Sequence, residues 1–146
     1  MRRGALAAWA VVLLAVGCQQ RDDATRHEPD ELRGTWKLEE MVIDGKAVDD
    51  QEIKQTYSLS FEEGRYVIRA SGRVQSRGAY KADPAANPKS LDISPFDGED
   101  AGRTLLGIYK EEGGVLTVCV RKEDRPTQFF GEEEHAGMRI VLKREK

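Results

Sequence analysis

The sequence predicts an all-β fold, an eight-stranded antiparallel up-and-down barrel, and three observations lead there. Eight segments alternate apolar and polar residues with a period of two, at 35–43, 56–61, 65–70, 74–81, 90–94, 104–110, 115–120 and 138–143. The breaks between them carry turn chemistry, Asp44-Gly45, Glu63-Gly64, Ser71-Gly72, Asn87-Pro88, Asp97-Gly98 and Gly113-Gly114, which suits tight reversals between antiparallel neighbours. No helical periodicity of a dozen residues intervenes, which excludes the crossovers that parallel strands need. At 146 residues, 39% hydrophobic and 34% charged, the chain holds one small domain with appendages and has no room for a second.

In chain order, the first element is an address. Residues 1–18 are MRRGALAAWAVVLLAVGC, with Arg2 and Arg3 ahead of an apolar run from Ala5 to Val16, the layout of a secretory signal peptide. The run is shorter than the roughly 20 residues of a spanning helix, so residues 1–17 are expected to be cleaved rather than to anchor the chain. Leu14-Ala15-Val16-Gly17-Cys18 resembles the bacterial lipobox, with Ala15 standing where leucine is most common. That resemblance implies cleavage before Cys18, diacylglycerol on its thiol and an acylated new amine. The product is a lipoprotein of the cell envelope, held to a membrane on its extracytoplasmic side. The plainer alternative is an ordinary signal peptide cut near Gly17 with an incidental cysteine.

Loss of Arg2 and Arg3 leaves 21 Lys+Arg against 26 Asp+Glu, a mature net charge of -5. That balance argues against a basic surface for anionic lipid and gives no pointer to nucleic acid. With Cys18 lipidated, Cys119 has no partner left; the fold must rest on packing without a disulfide, and a closed barrel with no free edge is expected to be a monomer. Residues 18–33 carry one leucine and no aromatic and are expected to be a flexible tether, with His27 a solvated part of it.

Residues 34–146 form the barrel domain. Alternation assigns one face to Trp36 and Leu38; Tyr57, Leu59 and Phe61; Tyr66 and Ile68; Val74 and Tyr80; Leu91 and Ile93; Leu106 and Ile108; Leu116, Val118 and Val120; and Ile140 and Leu142. The first strand breaks its alternation at Glu39-Glu40-Met41, where a β-bulge is the remedy, and residues 48–55 suit a short helical turn. Eight strands are about the number that closes into a small barrel; a two-sheet sandwich satisfies the same alternation.

Gly34-Thr35-Trp36 at the start of the first strand resembles the Gly-x-Trp signature of the lipocalin and fatty-acid-binding superfamily. The ordered set of Gly34-Thr35-Trp36, Val42-Ile43-Asp44-Gly45-Lys46, Pro88-Lys89-Ser90-Leu91-Asp92-Ile93, Leu105-Leu106-Gly107-Ile108-Tyr109, Leu116-Thr117-Val118-Cys119, Arg125-Pro126-Thr127 and Leu142-Lys143-Arg144 is similar to a lipocalin-like domain family of unknown function, duplicated in planctomycete bacteria. The resemblance covers residues 32–146. It implies a lipocalin-like barrel and an extracytoplasmic setting, and brings no substrate and no catalytic residues. The segment between the first two strands is too short for the helical lid of fatty-acid-binding proteins, which favours the eight-stranded form.

The search for chemistry ends mostly in structural explanations. No Gly-x-Ser-x-Gly elbow, phosphate loop or His-Glu-x-x-His is present, and two histidines, His27 and His135, are too few for an imidazole metal site. Glu132-Glu133-Glu134-His135 and Asp97-Gly98-Glu99-Asp100 lack the spacing of a calcium loop and suit solvated acidic turns. Cys119 points away from the face of Val118 and Val120; a reactive thiol needs a nearby cation, and Arg121 on its face is slight support against a plain packing role. The expectation is therefore no enzyme, no metal and no cofactor.

Trp36, Tyr57, Phe61, Tyr66 and Tyr80 face inward and either line a pocket for a small apolar or amphipathic ligand or fill a solid core. The first choice makes the protein a ligand-binding lipoprotein; the second makes it an envelope protein–protein interaction module with a filled barrel. Finally, the last strand of a meander pairs with the first. Arg144, which shares parity with Ile140 and Leu142, is thus expected to stack on Trp36 and close one end, as the basic residue of the final strand does in lipocalins. A frayed C-terminus is the alternative.

Overall fold

A computed structural model describes residues 29–130 and 136–146. The strands are β1 (Gly34–Ile43), β2 (Lys46–Ala47), β3 (Ser58–Glu62), β4 (Arg65–Ala70), β5 (Arg73–Asp83), β6 (Lys89–Pro95), β7 (Leu105–Glu112), β8 (Val115–Arg121) and β9 (Met138–Arg144), with one short helix, α1 (Gln51–Thr56). Each strand pairs antiparallel with its neighbour in the order β1-β3-β4-β5-β6-β7-β8-β9, and β9 returns to pair with β1. That last pairing closes an eight-stranded barrel and rules out the sandwich. The two residues of β2 fold back on β1 through the Asp44-Gly45 turn, both of whose residues have positive φ, 47 and 79, the geometry of a type I′ reversal.

The alternation break in β1 is a bulge. Pairing with β9 shifts between Leu38 and Glu40, so Glu39 is the extra residue and Met41 takes the inward place opposite Ile140. Helix α1 starts on Asp50, whose carboxylate accepts from the N–H groups of Glu52 and Ile53 at 2.9 and 3.2 Å, the bonds expected of an N-cap. It lays Ile53 against the core and is tied to the β4–β5 turn by the N–H of Ser71 donating to Thr56 Oγ1 at 2.9 Å.

The inward assignments of Val74, and of Leu106 and Ile108, are corrected by the structure. Val74 is 51% exposed, because the β4–β5 register shifts between Ile68 and Arg69 and Gln75 becomes the unpaired residue, which turns Val74 outward. In β7 the parity is reversed. Gly107 and Tyr109 pair with Val120 and Val118 and share their inward face, while Ile108 pairs with Cys119 on the outside. Ile108 is nevertheless fully buried, in a second small core with Cys119 and Phe130 that Phe129 flanks. Residues 122–130 run over the outer face of β7 and β8 to make it. Arg125 pins them, donating to the Gly107 carbonyl at 2.7 Å and lying 2.6 Å from the Asp92 carboxylate, with Lys110 over the Phe129 ring at 4.8 Å.

Two glycines are fixed by close approach. At Gly78 a Cβ would collide with the backbone of Ser94 and Pro95 and with the ring of Tyr66, its cross-strand partner. At Gly107 it would meet Val120 Cγ1 at 2.6 Å and the Leu91 carbonyl at 2.8 Å.

Candidate functional site

The five inward aromatics meet in the main core. Exposure falls to 0% at Trp36, 1% at Phe61 and Tyr66, 6% at Tyr57 and 7% at Tyr80, so all five are packed among protein atoms. Phe61 and Tyr80 pack edge to face with centroids 4.8 Å apart, and Tyr66 and Ser76 share a hydroxyl–hydroxyl bond of 2.9 Å. Burial holds the phenols of Tyr57 and Tyr66 above the ordinary tyrosine range, so both stay neutral. At the end away from the N-terminus of β1, Val48 and Ile53 pack onto the core beside half-buried Ile68, Ile93 and Met138.

The opposite end, the base, is sealed by a polar latch. The Trp36 indole N–H donates to the Leu32 carbonyl at 2.9 Å, and Leu32 is fully buried. The guanidinium of Arg144 lies over the Trp36 ring, 4.3 Å from its centroid, and donates to the carbonyls of Arg33 and Glu31 at 2.7 Å each. The Glu31 carboxylate in turn accepts from Lys89 Nζ at 2.9 Å and from the Tyr109 hydroxyl at 2.7 Å. Burial alone would raise the Glu31 pKa, but the bonds from Lys89 and Tyr109 outweigh it and hold the carboxyl below its usual value. Burial and the same carboxylate push the Tyr109 phenol far up.

The latch corrects the tether boundary, since residues 29–33 belong to the barrel. Sequence reasoning missed Glu31, Lys89 and Tyr109; the signal available was the lone apolar Leu32 just ahead of the first strand, four positions before Trp36.

Two depressions mark the outer surface, both open to solvent. One of about 1010 Å³ runs along the outside of β5 and β6 to the base, lined by Asp30, Arg33, Lys81 and Asp92 among small residues such as Ala79 and Ser94. The other, about 550 Å³, lies outside β1, β3 and β4.

The remaining candidates have structural explanations where they are described. Asp97 and Asp100 pair with Arg77 and Lys122 at 3.5 and 3.1 Å, and no group of three metal-ligating side chains occurs among the described residues. Cys119 is buried and free; burial raises its thiol pKa, against smaller opposing effects of a Phe130 backbone bond and the cations Arg139, Lys110 and Arg121. Cys18, the expected signal peptide, most of the expected tether with His27, and Glu132-Glu133-Glu134-His135 lie outside the described residues. No protein-family model matches the chain, and no curated protein or solved structure is significantly similar to it.

Proposed function

We propose that the mature chain is a lipid-anchored barrel of the cell envelope, held on the extracytoplasmic side of its membrane through Cys18, that works by recognition at its outer surface. The observation that carries this reading is the filled interior. A pocket for a drug-sized ligand needs roughly 300–1,000 Å³, whereas the five aromatics expected to line one are at most 7% exposed and belong to one buried core, with Phe61 and Tyr80 edge to face. This favours the interaction module over the carrier of a small apolar ligand. The absence of any acid, base and nucleophile grouping in the sequence argues against catalysis. The lipobox and the short apolar run of residues 5–16 support the address.

The test has two arms on protein made with its signal intact. Mass spectrometry of the mature chain should find Cys18 as the first residue, carrying acyl chains, and Cys18→Ser should lose membrane association; an unmodified Cys18 would overturn the anchoring. Native mass spectrometry after gentle extraction should find the bare barrel mass. A stoichiometric apolar molecule travelling with it would overturn the filled-barrel reading and restore the carrier.

A further inference from the structure

The outer face of β4 and β5 is built as a checkerboard of arginine and apolar side chains. Cross-strand neighbours there are Arg65 with Ala79, Val67 with Arg77, and Arg69 with Val74, and antiparallel partners share a face. Phe96 extends the surface, with the Arg65 guanidinium 5.9 Å from its ring centroid. Val74 and Phe96 are 51% and 53% exposed, the two most exposed large apolar side chains among the described residues. Arg77 is matched by Asp97 at 3.5 Å, and Glu62 stands opposite Arg65 on β3 with Glu63 in the turn beyond. Among the described residues Arg65 and Arg69 form no ion pair. The 550 Å³ depression lies beside them; its charged lining is Arg33, Arg65 and Arg69 with Glu62 and Glu63, and the Thr35 and Ser60 hydroxyls lie 3.0 Å apart in it.

We propose that this face docks on the anionic phospholipid headgroups of the membrane to which the chain is tethered, so that the barrel lies on its side. The proposal rests on the lipid anchoring of Cys18. Three features select a bilayer. Arginine forks match phosphate oxygens, and exposed apolar side chains beside them suit the headgroup boundary. The depression reaches Arg33 and Gly34, at the start of β1, next to the segment that the tether leads into. With residues 29–33 held in the base, residues 19–28 link Cys18 to the barrel, a reach of roughly 35 Å when extended, so the tether keeps the barrel near the surface. A patch with so few basic side chains is too weak to capture a partner from dilute solution, but suffices to orient a domain already held at high effective concentration.

The mature net charge of -5, which argued against a basic surface, hides this segregation of charge. Docked this way, β8, four strands round the barrel, faces away from the membrane together with residues 122–130.

The test uses the full chain with Phe96→Trp, exported, purified in detergent and reconstituted into vesicles whose acyl chains are brominated. Trp36, sealed in the base, is a constant background. Tryptophan emission should be quenched in vesicles containing phosphatidylglycerol and not in phosphatidylcholine alone. Adding Arg69→Glu should lower the ratio of docked to undocked barrels, read from the quenching, about twenty-five-fold, since each basic residue near an anionic surface is worth about fivefold and reversal counts twice, while Lys46→Glu, with the same charge change on β2, should leave the quenching intact. Equal emission in both lipids, or equal loss in the two charge variants, overturns the docking. Acylation is measured on the same sample. An acylated chain without quenching overturns the docking and keeps the anchoring; an unacylated chain that still needs phosphatidylglycerol for quenching does the reverse. Loss, in Arg69→Glu, of cross-linking to an envelope protein with quenching unchanged assigns the face to a protein and also overturns the proposal.

Discussion

Removing the guanidinium of Arg144 tests how the base is held. Its stacking on Trp36 at 4.3 Å contributes roughly 0.5–2 kcal/mol, the upper end reached when water is excluded. The two bonds to the Arg33 and Glu31 carbonyls, 2.7 Å each, have a charged donor and add about 1–2 kcal/mol together once those carbonyls can turn to water in the variant. Arg144→Ala should therefore destabilise the barrel by about 2–4 kcal/mol, which for a domain of this size lowers Tm by about 8–15 °C. Arg144→Lys keeps the charge without the fork and should fall between the two. Urea unfolding followed by far-UV circular dichroism gives the free energy, and Trp36 emission reports the ring directly, since water reaches the indole when its cover is removed. A loss below about 0.5 kcal/mol, the size of an ordinary surface change, together with an unshifted emission maximum, would refute the closure.

Three further outcomes are expected. The Glu31 carboxyl sits below its usual 4.5 in the folded chain, so the stability it contributes is complete above that value and is lost as pH falls through the lower, folded pKa; Glu31→Gln should flatten the acid limb of the stability profile, and a limb identical to the parent's would count against the latch. Gly78→Ala drives a methyl into the Ser94 and Pro95 backbone and should cost about 3 kcal/mol or more, visible as a lowered Tm or lost soluble yield; a parent-like Tm would be inconsistent with the close approach. Cys119, buried and free, should react with a thiol reagent only on unfolding, and reductant should leave Tm unchanged; native-state labelling at the rate of an exposed thiol would disprove its burial.

The barrel was legible because each of its eight strands alternates strongly enough to be found alone, and because the turn residues between them permit little else. The bulge at Glu39 was visible as a broken alternation. What failed was direction where a strand is apolar on both faces. In β7, Leu105, Leu106, Ile108 and Tyr109 satisfy either parity, and only the loop of residues 122–130, which covers Ile108 and Cys119 from outside, decides it. Val74 was misplaced because a bulge at Gln75 leaves no trace in so polar a segment. The base latch joins Glu31 to Lys89 and Tyr109 across 58 and 78 positions, and one glutamate in a run of charged residues does not announce its partners. Arg144, by contrast, was found because strand parity and the closure of a meander place it beside Trp36.

The pairing of β9 with β1 also sets a condition on when this protein can fold. It joins Trp36 to Arg144 and Ile43 to Met138, residues about a hundred positions apart, whereas every other pairing is between consecutive strands or, for β1 with β3, skips only the two-residue β2. A nascent chain that has reached β8 can form a curved seven-stranded sheet, but with both edges bare and Trp36 without its cover. The final seven-residue strand satisfies both edges at once and brings Arg144 to the base. Commitment to the native state thus comes at the C-terminus, with the loop-closure entropy of the whole domain offset in one late step. Chains cut short before Met138 present two templates for intermolecular β-pairing and are the aggregation-prone species of this protein.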